Sequence, residues 1–269
     1  MNVLNHPLTF FGLTFIYSWV LWLIAILIGA NLNNSPVLIF YYLGGIGPSL
    51  IGILLTYKIE DKEYIKNFWH RSYDPRLIKP KWYFLIILFV ILPLLIGIGI
   101  DLFIGGTGAE LEGIDEFISK PLSFFPYLLF LIIAVLAEEF GWRGYAQEHL
   151  QRKYSMISSG LLIGIFWSIW HLPLFFIEGT YQNELGIGSF EFWLFFIFII
   201  PESLIYAWIY NKNSRSILSA ILYHLLGNLM GELFVPVGLA PFIRFIIVCI
   251  IAITLSLIYS KKSLENESL

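Results

Sequence analysis

Eight apolar runs, each about 20 residues long, constrain this chain more than any other feature of its sequence. A helix needs roughly 20 mostly apolar residues to cross the hydrocarbon core of a bilayer. The runs fall at residues 8–30, 36–57, 82–104, 124–147, 156–177, 191–210, 216–235 and 241–260. Because the connections between them are short, we predict an all-α fold, a polytopic transmembrane bundle of about eight helices, with a single membrane domain over residues 1–269.

The composition supports a membrane protein and excludes several classes of site. Hydrophobic residues make up 58% of the chain and charged residues 13%, whereas soluble domains have about 25% charged residues. Cys249 is the only cysteine, which excludes an intramolecular disulfide and a zinc cluster held by cysteines. We expect membrane lipids as partners, and no nucleic acid.

The distribution of lysine and arginine predicts how the chain is oriented. If all eight runs cross the membrane, basic residues collect on one side, and Lys120 is the only basic loop residue on the other, acidic side. The collected residues are Lys58, Lys62, Lys66, Arg71, Arg76, Lys79, Lys81, Arg152, Lys153, Lys212, Arg215, Lys261 and Lys262. Cytoplasmic loops of membrane proteins carry an excess of lysine and arginine. We therefore predict a multi-pass protein of the cell membrane with both termini in the cytoplasm.

Two adjacent carboxylates, Glu138 and Glu139, lie inside the fourth apolar run. A charged side chain at the bilayer centre costs roughly 2.5–3.5 kcal/mol on insertion scales, so such residues are usually paired or functional. Glu139 and Arg143 are four residues apart and share a helix face, which predicts a salt bridge between them. Glu138 is rotated by about 100° from Glu139 and has no partner at that spacing. Its carboxylate is therefore the one left for chemistry.

Three further polar residues lie in the fifth and seventh runs. His171 stands just before Pro173, and this proline should kink or end the helix after the histidine. His224 and Asn228 are four residues apart and lie on one helix face. Taken singly, each is a residue type that often forms hydrogen bonds between membrane helices. The presence of all three residues together with Glu138 indicates a functional site instead.

One glutamate, two histidines and one asparagine are suited to activating water against a carbonyl. Glu138 can act as a general base while one histidine positions the water. The other histidine and the Asn228 amide can donate to the developing oxyanion, with each donor contributing about 3 kcal/mol. Glu138, His171 and His224 could instead bind Zn²⁺ with one open position. The residues alone leave a zinc-dependent and a metal-free mechanism open.

Three motifs carry a resemblance to a known family. They are Glu138-Glu139-x-x-x-Arg143, Trp167-x-x-x-His171 and His224-x-x-x-Asn228, in this order on three apolar runs. Together they resemble the type II CAAX prenyl proteases, also called the CPBP or Abi family of intramembrane proteases. The resemblance covers residues 124–235, and we predict that this range is the catalytic core.

The resemblance implies a bundle of eight helices, with a cavity open to the cytosol and one composite site. It assigns catalytic roles to Glu138, Glu139, His171, His224 and Asn228, with Arg143 in structural support. Within this set Glu138 and His171 would activate the water, while His224 and Asn228 would form the oxyanion site. Some members cut prenylated CAAX tails just after the lipidated cysteine, and the family has been described both as metalloproteases and as metal-free glutamate proteases. The resemblance therefore implies hydrolysis of a peptide bond in a membrane-associated substrate, which is a membrane-anchored peptide or a lipidated protein.

Two alternatives to a protease are consistent with the residues. A proton- or ion-coupled transporter also uses buried glutamates and histidines as proton relays, although the internal repeats typical of transporters are not found in this sequence. A non-catalytic immunity or receptor protein of the membrane is the other alternative.

Overall fold

A computed structural model describes residues 7–122 and 124–267, and the side chains of Pro7, Glu112 and residues 261–267 lie outside that description. The helices are α1 (Pro7–Leu27), α2 (Ser35–Gly45), α3 (Gly47–Ile59), α4 (Lys62–Tyr73), α5 (Pro80–Phe103), α6 (Glu112–Ser119), α7 (Phe124–Glu139), α8 (Glu148–Leu150), α9 (Met156–Trp170), α10 (Tyr181–Glu184), α11 (Phe190–Lys212), α12 (Ile217–Leu233) and α13 (Ala240–Glu267). A π-helical segment, Phe140–Gln147, joins α7 to α8. Short 3-10 turns cover Pro75–Leu77 and Leu172–Phe176, and two-residue strands β1 (Ala109–Glu110) and β2 (Val235–Pro236) pair antiparallel. The predicted all-α class is confirmed.

Each predicted apolar run corresponds to helical structure, but not all runs are single long helices. Six helical stretches of the described residues are long and apolar enough to cross a membrane. The second predicted run is instead the pair α2 and α3, which is bent by 43°. Pro48 lies in the first turn of α3, where a proline is tolerated, whereas it would disrupt a helix interior. The seventh run is α12, whose 17 residues are fewer than the roughly 20 of an ordinary span. The chain is a multi-pass membrane protein.

Ion pairs join three basic connections at one end of the bundle, which we call the basic end. Glu148 accepts hydrogen bonds from Arg71 Nη1 at 3.1 Å and from Arg215 Nη1 at 2.6 Å. Arg152 Nη1 lies 2.9 Å from a carboxylate oxygen of Glu60. The connections that follow α3, α8 and α11 therefore meet, as the charge pattern predicted. The tail lysines predicted for the same end have side chains outside the described residues.

At the opposite end, Asp101 ties two connections together. It is buried near the end of α5 and accepts hydrogen bonds from the backbone N–H groups of Gly108 and Leu239, each at 2.8 Å. The β1–β2 pair joins the same two connections. These contacts fix the ends of α5 and α12 relative to each other.

The fourth predicted run is not a uniform α-helix, because its last third is the π-helical segment Phe140–Gln147. The backbones of this segment and α3 come unusually close. A Cβ on Gly141 would collide with the carbonyl oxygen of Pro48, and one on Gly52 would lie 2.8 Å from the Gly141 Cα. Single-turn π segments of this kind are frequent at functional sites. The close approach fixes the π segment against α3.

We expect Gly141→Ala to destabilise the protein by about 1–3 kcal/mol, because the new methyl group meets backbone that cannot rotate away. Thermal unfolding in detergent, followed by tryptophan fluorescence, measures the effect. Gly99→Ala is the matched control, since a Cβ on Gly99 meets nothing within 4 Å. Equal melting temperatures for the two variants would contradict the close packing of α3 on the π segment.

Candidate active site

A buried charge cluster is centred on the Glu139 carboxylate. Its Oε1 accepts a hydrogen bond from Arg143 Nη1 at 2.9 Å and lies 2.8 Å from His224 Nδ1. The side chains of Glu139 and Arg143 are both fully buried. A carboxylate paired with a guanidinium only accepts, so Nδ1 of His224 is the donor and its Nε2 remains available. The predicted Glu139–Arg143 salt bridge is confirmed.

Two aromatic rings enclose the guanidinium of Arg143. Its Cζ lies 3.9 Å from the centroid of the Tyr206 ring and 4.5 Å from that of the Trp167 ring. Aromatic faces attract a cation electrostatically, most strongly where water is excluded. The helices that carry the two rings, α9 and α11, approach closely at Gly164, where a Cβ would lie 2.9 Å from the Ile200 Cα. This packing brings the two rings together at an interplanar angle of 88°, and both cover the guanidinium of Arg143.

Glu138 lies outside the charge cluster, as the helix spacing predicted. Its Oε2 accepts a hydrogen bond from the indole Nε1 of Trp167 at 2.6 Å. Within the described part of the chain it forms no ion pair, and its side chain keeps partial exposure. Glu138 is therefore the accessible carboxylate of the two, and Glu139 is the enclosed one.

His171 caps the C-terminus of α9, because the helix ends at Trp170 and the turn that contains Pro173 begins at Leu172. The predicted effect of this proline is confirmed. His171 Nδ1 lies 2.8 Å from the Trp167 carbonyl oxygen, which only accepts, so Nδ1 carries the proton and Nε2 has a free lone pair. The ring of Trp167 lies 6.2 Å from the ring of His171 and 5.3 Å from that of His224. The two histidines and Glu138 thus gather around one tryptophan.

Asn228 lies one turn beyond His224 on α12. Its side chain is partly exposed. Its amide forms no hydrogen bond to any residue that the structure describes, unlike the buried polar groups of the charge cluster. Both hydrogens of the amide are therefore available to a bound substrate.

The zinc alternative requires Glu138, His171 and His224 to converge as ligands. Within residues 7–122 and 124–267, no three His, Cys, Asp or Glu side chains form a group that could hold a metal ion. One carboxylate oxygen of Glu138 is instead engaged by Trp167. The residues do not fit a zinc site in this arrangement, and no step below is routed through a metal.

Two residues of the site were not assigned a role from the sequence. Trp167 was used only as the aromatic position of a motif, although its indole N–H distinguishes it from phenylalanine. Tyr206 belongs to none of the three motifs. A buried arginine calls for enclosing rings or acceptors, but that requirement cannot select one residue among 24 Phe, 15 Tyr and 9 Trp.

The multi-pass bundle thus brings a partly exposed carboxylate and two histidines to one tryptophan, with a free amide one turn further along α12, an arrangement suited to an intramembrane hydrolase. A family model described as type II CAAX prenyl endopeptidase Rce1-like matches residues 120–230, which contain all six predicted site residues. The chain is 34% identical over 230 residues to CAAX prenyl protease 2 of Methanococcus maripaludis, a match that covers 85% of this chain and 84% of that protein. The chain belongs to the type II CAAX prenyl endopeptidase family. It is therefore an intramembrane protease, and the transporter and non-catalytic alternatives are not supported.

We expect Arg143→Met to lower the free energy of unfolding by about 3–5 kcal/mol, because it leaves the buried Glu139 carboxylate without its cation. Adding Glu139→Gln should restore part of that loss, since the uncompensated charge is then gone. Thermal unfolding in detergent compares the variants. Arg152→Met is the matched control: Arg152 pairs with a glutamate but its side chain is 45% exposed, so its loss should change stability by about 1 kcal/mol or less. A single Arg143 variant as stable as this control would contradict the cluster.

Proposed function

We propose that this protein hydrolyses a peptide bond in the C-terminal tail of a prenylated, membrane-associated CAAX substrate. The observation that carries the proposal is the partly exposed Glu138 carboxylate, bonded to Trp167, whose ring also lies beside the rings of His171 and His224. The name of the Methanococcus maripaludis relative supports the substrate class. A CAAX tail carries its prenyl group on the cysteine, and this anchor brings the scissile bond to the membrane.

Glu138 acts as the general base in the first step. Water donates one hydrogen bond to Glu138 Oε1 and another to the free lone pair of His171 Nε2. Glu138 removes a proton as the water oxygen attacks the substrate carbonyl carbon, so a C–O bond forms and the carbonyl π electrons move to oxygen. A positioned base of this kind contributes roughly 10²–10⁴-fold to the rate.

His224 and Asn228 stabilise the resulting oxyanion. The Nε2–H of a protonated His224 and the Asn228 amide donate to it from one face of α12. The protonated Glu138 then delivers its proton to the amide nitrogen as the C–N bond breaks, which releases the amine product and regenerates the carboxylate. Donors directed at developing charge in a site shielded from water are usually the largest contribution to such catalysis.

Glu139 and Arg143 support this chemistry without contacting the substrate. With His224 protonated, the carboxylates of Glu138 and Glu139 are balanced by Arg143 and His224, so these four side chains together carry no net charge. The Glu139 contact to His224 Nδ1 orients the imidazole so that Nε2 is directed away from the buried side.

We further propose that residues 124–235 are the catalytic core of a single membrane domain, and that both termini face the cytoplasm. The meeting of the basic connections at one end supports this orientation, because cytoplasmic loops are enriched in lysine and arginine. The substrate's lipidated tail would then reach the site from the cytoplasmic side.

We expect Glu138→Gln to lower kcat by at least about 10²-fold on a farnesylated CAAX peptide, because the amide cannot take a proton from water. The assay uses the purified protein in liposomes, with product peptides identified by mass spectrometry. Glu184→Gln, an exposed substitution in a connection, is the control and should leave kcat unchanged. If the Glu138 variant were as active as the Glu184 control, Glu138 would not be the base. If a peptide without the prenyl group were cleaved as fast as the farnesylated one, the proposed substrate class would be contradicted.

We expect Asn228→Ala to lower kcat by about 10²–10³-fold with little change in KM, because the lost donor acts mainly on the oxyanion. Steady-state kinetics on the same peptide separate the two parameters. Asn211→Ala is the matched control, since the Asn211 amide donates only to the backbone carbonyl of Ala207. A rise in KM with unchanged kcat would instead assign Asn228 to substrate binding.

A further inference from the structure

One residue, Trp167, contacts four of the site's polar residues: Glu138, Arg143, His171 and His224. Its indole N–H is bonded to Glu138, its ring face covers Arg143, and its ring edge lies against the ring of His224. Its backbone carbonyl holds Nδ1 of His171. Phenylalanine would pack against the same rings. Packing alone therefore does not explain why a residue with a polar N–H lies here.

The hydrogen bond to Glu138 is short and can act in only one direction. At 2.6 Å it lies below the usual 2.7–3.2 Å range of N–H···O bonds. An indole N–H only donates, so Trp167 cannot remove the proton that Glu138 carries between the two steps. The bond engages Oε2, which leaves Oε1 without a hydrogen bond to any described residue and so available to water.

Trp167 is itself firmly held. Its side chain is 5% exposed, and its helix packs on α11 through Gly160 and Gly164, where a Cβ would come within 3.1 Å and 2.9 Å of neighbouring atoms. The ring is enclosed by Arg143 on one face and by Tyr206 at 5.5 Å, in an edge contact. A group that orients a catalytic side chain must have its own rotamer fixed by packing, and Trp167 meets this condition.

We propose that Trp167 is a positioning residue, whose indole N–H directs the Glu138 carboxylate at the attacking water. This inference rests on the proposed role of Glu138 as the base. It predicts that removing the N–H alone, with the ring retained, slows the chemical step without weakening substrate binding.

The test replaces Trp167 in two ways in the full-length protein. Trp167→Phe removes the N–H and part of the ring, whereas 3-benzothienylalanine, incorporated at position 167, keeps the ring shape and replaces the N–H with sulfur. We expect both to lower kcat about 10- to 100-fold, because a small misplacement of a catalytic group is costly, while KM changes by less than about twofold. Full kcat in the benzothienyl protein would overturn the proposal and assign Trp167 to packing alone.

Trp22→Phe provides a matched control for lost stability. The Trp22 indole also donates a buried hydrogen bond, to the Tyr41 carbonyl oxygen at 2.9 Å. We expect it to lower the melting temperature about as much as Trp167→Phe, since each removes one such bond, but to leave kcat unchanged. If Trp22→Phe lowers kcat as strongly as Trp167→Phe, the effect is one of general stability and the inference fails.

A spectroscopic measurement distinguishes this inference from the proposed function. In protein labelled with ¹⁵N-tryptophan, the indole resonance that disappears in Trp167→Phe identifies Trp167. We expect that resonance to shift in Glu138→Gln, because the acceptor is then no longer charged, and the other indole resonances to stay in place. An unmoved Trp167 resonance overturns the hydrogen bond whatever the activity. A shifted resonance in a protein whose Glu138→Gln variant still cleaves peptides supports the bond and overturns the role of Glu138 as the base.

Discussion

The buried carboxylate of Glu139, bonded to both Arg143 and His224, is the interaction on which the rest of the site depends. It joins the π segment to α12, and the rings that cover Arg143 come from α9 and α11. A charge in a low-dielectric interior is tolerated only when it is paired, and removing one partner is strongly destabilising. These helices therefore have to meet in one register for the cluster to form. The same register brings His171 and Glu138 to Trp167, so assembly of the bundle and assembly of the site are one event.

The cluster also gives different roles to two carboxylates that are adjacent in sequence. Glu139 is fully buried and its Oε1 is bonded to Arg143 and His224, while Glu138 accepts a hydrogen bond from an indole and stays partly exposed. A polar environment that is fixed before the substrate arrives needs no reorganisation during the reaction. Neighbouring glutamates on a helix point in different directions, which is the simplest way to place a supporting acid beside a reacting one.

Helix periodicity and hydrophobicity account for what the sequence could predict. The apolar runs predicted the helices, the spacing of Glu139 and Arg143 predicted their salt bridge, and Pro173 predicted the end of α9. The π segment was missed because it depends on the approach of α3 to Gly141, a contact between distant parts of the chain. The indole bond to Glu138 and the position of Tyr206 were missed for a similar reason, since a rotamer and a partner on another helix leave no local pattern.

The packing of α3 bears on how much of the chain the site requires. The motifs lie within residues 120–230, yet the similarity to the archaeal relative extends over 85% of the chain. Helix α3 lies outside the motif range, but its Ser49 hydroxyl donates to the Leu136 carbonyl at 2.7 Å, two residues before Glu138, and its Gly52 lies against Gly141. These contacts fix the backbone on both sides of the two glutamates. The predicted core of residues 124–235 thus contains the reacting groups, whereas α3 holds the backbone that presents them, which gives a physical reason for resemblance beyond the motifs.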